Sequence, residues 1–352
     1  MTKLHHRAML TTGLTLAALL AGCGGGGTSN DNTGPTASAL TSTCQAIIPS
    51  GSMVAIAAKG GVGSATLDVN KTTLALTITA STSNNEKPIF SQVLMATSAT
   101  GSCSFKASTS SGPRVLLAND HLGVAYRQDT QEPVLLLGNV STSIASMAGT
   151  YNMVRYQQDT AANNATSTRT SYATFVVNTD GSWSLYKNAD ASGTATASGT
   201  LELDGTTQRL LLVTGSSLTP VVRGSVFLSG SGSARILAVA EHDPGDAEGS
   251  TSGLFIGVPQ AAWSTFSSSV AGTYVTNTTD ASGSSIAVSG LTLTPSGSAA
   301  INATADSPIQ GLLTALSTNY VLLRSGLLAV ISNETSGATT SGYLELGVIP
   351  QP

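Results

Sequence analysis

Charge is scarce in this sequence. Of 352 residues, 10% are Asp, Glu, Lys or Arg, 5% are aromatic, four are histidine and three are cysteine. With 15 basic residues against 19 acidic ones the formal net charge is −4, and a chain with no basic surplus does not attract a polyanion, which argues against nucleic acid as a partner. The chemical motifs that need fixed spacings are missing as well. There is no Cys-x-x-Cys pair, no HExxH helix, no phosphate-binding P-loop and no GxSxG elbow, so no metal, cofactor or catalytic constellation is expected.

Hydrophobic residues make up 41% of the chain, and 37 residues are glycine. Together with abundant Ser and Thr, this mixture suits short strands joined by many turns. The exception is the start. Lys3, His5, His6 and Arg7 precede an apolar run from Ala8 to Leu20, long enough for an export signal but short of the ~20 residues that a membrane-spanning helix needs.

The run ends in Leu20-Ala21-Gly22-Cys23. This stretch resembles the lipobox of bacterial lipoproteins, in which the cysteine receives a diacylglycerol, the signal is cut just before it and the new amino terminus is acylated. The resemblance implies that Cys23 opens the mature chain and anchors it to a membrane through its acyl chains. In that family an Asp after the cysteine favours retention at the inner membrane; Gly24 stands here, which implies the outer membrane. Each buried methylene contributes about 0.8 kcal/mol, so three chains anchor far more firmly than one. Removal of Met1–Gly22 takes away Lys3 and Arg7 and no acid, leaving 13 basic against 19 acidic residues and a net charge of −6.

With Cys23 lipidated, Cys44 and Cys103 remain as an even pair in an oxidising compartment, where a disulfide is the expected outcome. Between the anchor and about Leu40 the chain is Gly, Ser, Thr, Asn and Asp with one Pro and no apolar periodicity, a flexible tether.

Beyond the tether the sequence repeats itself. Ser146-Met147-Ala148-Gly149-Thr150-Tyr151 returns as Ser269-Val270-Ala271-Gly272-Thr273-Tyr274. Ile236-Leu237-Ala238-Val239-Ala240, followed by a polar loop and Leu254-Phe255-Ile256-Gly257-Val258, returns as Leu327-Leu328-Ala329-Val330-Ile331 and Leu344-Glu345-Leu346-Gly347-Val348. A fainter version is Leu122-Gly123-Val124-Ala125-Tyr126 with Val134 to Gly138. The closing glycines lie 119 and 90 residues apart, spacings of domain size. The chain therefore divides into a signal (1–22), a lipidated cysteine and tether (23–43), and β modules at 44–142, 146–261 and 269–352.

Alternating hairpins mark each module: Leu67 and Val69 with Leu74 and Leu76, Phe175 and Val177 with Trp183 and Leu185, and Leu291 and Leu293 with Ala299 and Ile301. In the middle module about eight strands are expected, beginning near Thr150, Thr170, Ser182, Thr194, Arg209, Val221, Ala234 and Gly253. The fold class is all-β: three tandem antiparallel meanders, each a small barrel or a sandwich. Between them, Ile144 and Met147, and Ala262, Trp263, Phe266 and Val270, fall at helical spacings and predict short helices that plug a barrel end or bridge to the next module.

Few residues offer chemistry. The segment Glu241-His242-Asp243-Pro244-Gly245-Asp246-Ala247-Glu248 carries four acids and a histidine, candidates for a divalent cation. It lacks the order of an EF-hand loop, and a solvated hairpin loop is the simpler explanation. His121 and His242 are the only histidines left after signal removal, and His121 sits in a turn signal. Trp183 and Trp263 either line a pocket or fill a core. The expected function is a lipid-anchored, non-catalytic binding or structural protein of the outer membrane, with a protein or surface glycan as possible partner. A carrier of a small apolar ligand is the alternative, and an envelope hydrolase a third. A carrier needs more interior volume than its side chains fill.

Overall fold

Three eight-stranded antiparallel meanders each return on themselves. The computed structural model describes residues from Cys44 to Ile349, leaving out 45, 70–72, 81–89, 97–102, 107–113, 128–131, 162–165, 217, 247–248, 264–269, 274–282, 290, 296–298, 316–319, 334–341 and 343. Within a single compact unit, Gly34–Pro352, barrel 1 runs β1 (Met53–Ala57), β2 (Val62–Val69), β3 (Thr73–Ala80), β4 (Phe90–Ala96), β5 (Cys103–Lys106), β6 (Arg114–Asn119), β7 (Leu122–Arg127) and β8 (Glu132–Leu137). Barrel 2 runs β9 (Gly149–Ala161), β10 (Thr166–Val177), β11 (Ser182–Lys187), β12 (Ala197–Leu203), β13 (Leu210–Ser216), β14 (Thr219–Ser229), β15 (Ile236–Asp246) and β16 (Gly249–Pro259). Barrel 3 runs β17 (Val270–Thr273), β18 (Gly283–Ser289), β19 (Thr292–Pro295), β20 (Ile301–Ala305), β21 (Leu313–Ala315), β22 (Tyr320–Arg324), β23 (Leu328–Asn333) and β24 (Leu344–Val348).

The closing seams differ in length. β9 and β16 pair over eleven residues, from Gly249↔Ala161 to Pro259↔Tyr151; β1 and β8 pair over four; β17 and β24 meet at Ala271↔Val348. Among the described residues, barrel 2 has the longest closing seam of the three. Its eight strands correspond one for one to the eight expected from sequence.

Alternation fills the interiors. On β9 the inward positions start with Tyr151 and Met153, on β10 they are Ala173, Phe175 and Val177, and on β15 Leu237 and Val239, all in one core. The hairpin between β10 and β11 turns at Asn178–Gly181, where Gly181 takes a φ of +87°. The Asp180 carboxylate accepts from the backbone N–H and the hydroxyl of Ser182, and those bonds hold its pKa below the usual carboxylate range.

Each barrel is stoppered by the chain that leads into it. Cys44, Ile47 and Ile48 pack into the core of barrel 1, and the Cys44–Cys103 disulfide ties this stopper to β5, with Cα atoms 5.2 Å apart. A short helix α1 (Ile144–Met147) stoppers barrel 2, with Met147 fully buried; the Tyr151 hydroxyl donates to the Met147 carbonyl at 2.7 Å, and Arg235 lies over the Tyr151 ring. Trp263 enters the core of barrel 3 with Leu313, Leu322 and Ala329. The expected plugging roles of Met147 and Trp263 are both seen, whereas Phe266 lies outside the described residues and Val270 opens strand β17 instead of continuing a helix.

The barrels share a fourth core. Outward residues of all three meet in one cluster: Leu116, Val124 and Leu135 from barrel 1, Val154, Ala238 and Ile256 from barrel 2, and Leu323, Val330 and Leu346 from barrel 3. Seventh and eighth strands are thus buried on both faces, which is why they read as unbroken apolar runs instead of alternating ones. Polar contacts edge this junction. The Ser229 hydroxyl donates to the Gly138 carbonyl at 2.6 Å, Asn152 Nδ2 donates to the Gln310 carbonyl at 2.5 Å, and the Thr170 hydroxyl donates to Asn333 Oδ1 at 2.7 Å.

Pairing also corrects the alignment of the repeats. Leu237 lies opposite Gly257, Ala329 opposite Gly347, and Gly123 opposite Leu136. Leu237 therefore corresponds to Ala329 and not to Leu328, and Leu136 rather than Gly138 closes the first module. A strand apolar on both faces carries no alternation to fix its register, so similarity alone slips by one residue. Likewise the Leu293–Ile301 pairing of barrel 3 joins its third and fourth strands, one hairpin later than β2–β3 and β10–β11.

Candidate functional site

The interior of barrel 2 is not filled. Above the stoppered floor lies a cavity of about 450 Å³, within the range of small-ligand sites. Met153, Phe175, Trp183, Leu185, Leu212 and Phe255 form its apolar part, and Arg155, Gln157, Ser198, Thr214, Arg223, Glu241 and Thr251 the polar part. Barrel 2 starts at its floor, so β9, β11, β13 and β15 all run to the opposite end. There the β13–β14 tip carries Leu218, 90% exposed.

Strand parity explains the lining. Along β9 the inward positions run Tyr151, Met153, Arg155, Gln157 and Asp159, passing from apolar to polar towards the mouth. Arg155 spreads its guanidinium over the Phe255 ring, 4.4 Å from the centroid, and its Nε is buried with no hydrogen-bond acceptor. Burial lowers the Arg155 pKa, partly offset by the nearby Glu241 carboxylate; it remains charged. Gln157 Nε2 donates to Glu241 Oε2 at 2.8 Å. Opposite, Arg223 Nε donates to the Thr214 hydroxyl at 2.9 Å, beside an irregularity in the β13–β14 register between Leu212 and Val213. Nearer the mouth, Arg169 pairs with the Asp159 carboxylate, which also accepts from Thr251.

The aromatic floor is a pair of rings. Phe175 and Trp183 stack at 5.6 Å between centroids, and the Trp183 indole N–H donates to the Thr200 carbonyl at 3.1 Å. Its polar atom is satisfied and its ring faces the cavity. Trp183 thus belongs to core and pocket at once, while Trp263 is core.

The acidic segment behaves differently from a loop. Glu241 to Asp246 belong to β15, because barrel 2's strands run on past the apolar stretch, with Glu241↔Gly253, His242↔Ser252 and Asp243↔Thr251 in register. Successive side chains on a strand point to opposite faces: Glu241 is buried within the barrel and His242 is exposed outside. These two cannot share an ion. The side chains of Asp243, Asp246 and Glu248 lie outside the described residues, as does Cys23, and no group of three or more metal-binding side chains forms among the described residues.

His121 sits in the β6–β7 turn, its Nδ1 2.7 Å from Asp120 Oδ1 and its Nε2 2.9 Å from Asn119 Nδ2. These neighbours are a carboxylate and an amide, and among the described residues no serine hydroxyl bonds the ring. A second, smaller cleft of about 250 Å³ lies between β1, β2 and Arg209. Sequence reasoning missed Arg155, Gln157 and Arg223. The signal for the first two was present, since both fall in phase with Tyr151 and Met153. No protein-family model, curated protein or solved structure matches this chain.

Proposed function

We propose that this protein is a non-catalytic binding protein, tethered to the outer membrane by lipid on Cys23, whose middle barrel holds a small amphipathic ligand. The observation that carries the binding reading is the half-apolar, half-polar cavity inside a barrel closed at one end by α1. Barrel 1 buries Phe105, Leu76 and Met53 in its own core. The tether reading rests on Leu20-Ala21-Gly22-Cys23.

Native mass spectrometry of the protein purified gently from its own host tests the binding role. A reproducible excess mass that denaturation removes is expected. A clean apo mass together with failure to take up a neutral solvatochromic dye such as Nile red would count against it. For the anchor, metabolic labelling with a fatty acid is expected to disappear in Cys23→Ser, and label that persists would contradict lipidation at that residue.

A further inference from the structure

We infer that the ligand of the middle barrel is a carboxylate with an apolar tail, its head against Arg155 and its tail among Met153, Phe175, Trp183 and Leu185; the inference rests on the binding role proposed above. Three observations converge on it. First, the cavity's lining holds two guanidiniums, Arg155 and Arg223, and one carboxylate, Glu241. Among the described lining residues cations exceed acids by one, which attracts an anionic guest over a cationic one.

Second, the donor inventory is unbalanced. The Glu241 carboxylate already accepts from Gln157, while Arg155 Nε is buried without an acceptor. Buried donors are almost always bonded, to protein or to water, and an acceptor entering the cavity supplies a partner that no side chain gives Arg155 Nε. A carboxylate supplies two oxygens in the plane that a guanidinium fork fits. Arg155 Cζ lies 4.4 Å from the Phe255 ring centroid, a cation–π contact that favours this position of the guanidinium.

Third, polarity is segregated along the barrel axis. Inward residues are apolar at Met153 and below and polar from Arg155 towards the mouth, so a molecule polar at one end and apolar at the other matches in one orientation. A fully polar anion would leave Phe175 and Trp183 uncovered, and a hydrocarbon would leave Arg155 unbonded.

The test compares three guests that share a chain and differ in head group: octanoate, octanol and octylammonium. The full exported chain, freed of lipid by Cys23→Ser, is used in isothermal titration calorimetry. Octanoate is expected to bind about tenfold to a hundredfold more tightly than octanol, the worth of a charge-assisted hydrogen-bonded pair. Arg155→Met should erase that margin and leave octanol unchanged. Equal affinities, a preference for octylammonium, or a margin that survives Arg155→Met would each overturn the inference, while octanol binding in any of these cases would leave the binding role standing. No binding of any guest would remove both. A second readout needs no change at Arg155. Bound ω-bromo-octanoate should quench the tryptophan emission that Trp183→Phe removes, and quenching that depends on Trp263 instead would overturn the placement.

Discussion

Replacing Ile256 with aspartate is expected to unfold all three barrels together. Ile256 is fully buried on the outer face of β16, in the cluster where residues of every barrel meet. Truncating such a side chain costs about 2–5 kcal/mol, and a carboxyl group placed there without a partner adds a desolvation penalty of several kcal/mol. The total rivals the whole stability of an ordinary domain, about 5–15 kcal/mol. The instructive measurement is scanning calorimetry. Wild type should melt in one transition, Ile256→Val should lower that transition by about 1 kcal/mol without splitting it, and Ile256→Asp should abolish it. If barrels 1 and 3 instead kept melting at the wild-type temperature while the middle barrel was lost, the shared core would not couple them.

A single methyl group on Gly60 should have the second largest effect. This glycine lies between β1 and β2 with a φ of +86°, a conformation that costs an L side chain about 1–2 kcal/mol. A Cβ there would stand 2.4 Å from the carbonyl oxygen of Glu241 and 2.9 Å from the backbone nitrogen of Gly253. Both are backbone atoms of barrel 2 that cannot swing aside, so Gly60→Ala forces barrel 1 away from β15 and β16. Strain and lost packing together are expected to cost about 3 kcal/mol or more. Because Glu241 lines the cavity, ligand uptake by barrel 2 should weaken as well, although the substitution is in barrel 1. Gly51→Ala is the matched control: nothing lies within 4 Å of its Cβ position, and its stability should stay within about 0.5 kcal/mol of wild type. Indistinguishable melting of the two variants would show that the barrels are not in close contact at Gly60.

The strands were legible because most of them alternate. Phe175 and Val177 facing Trp183 and Leu185 across Asn178–Gly181 declare a half-buried hairpin from local pattern alone. The same rule fails on Ile236 to Ala240 and on Leu327 to Ile331. There both faces are covered, one by a barrel's own interior and the other by neighbouring barrels, so strand and repeat are visible while register and the shared core are not. The strongest echo in the sequence falls on these strands because they satisfy two packing surfaces at once, which restricts their residues more than one surface does.

The candidate site was hidden for a different reason. Arg155 and Gln157 look like ordinary solvent-facing residues of a Ser/Thr-rich chain until the strand's phase is carried past Met153 to the end of β9. Histidines and acids offered the more obvious chemistry, and among the described side chains of those only Glu241 lines the cavity. Its role depends on pointing away from His242, a fact of backbone geometry and not of composition.

Eight is an even number, and that parity has a bearing on inheritance. Each meander finishes at the end where it began, beside its stopper, so the chain passes from one barrel to the next without crossing the mouth. A gene segment running from one stopper to the end of the following eighth strand encodes a complete barrel, with entrance and exit side by side. Inserted after itself, such a segment adds another whole barrel without rerouting a strand or covering an opening. What every addition must preserve is the outer face of the last two strands, which is where a newcomer finds its neighbours.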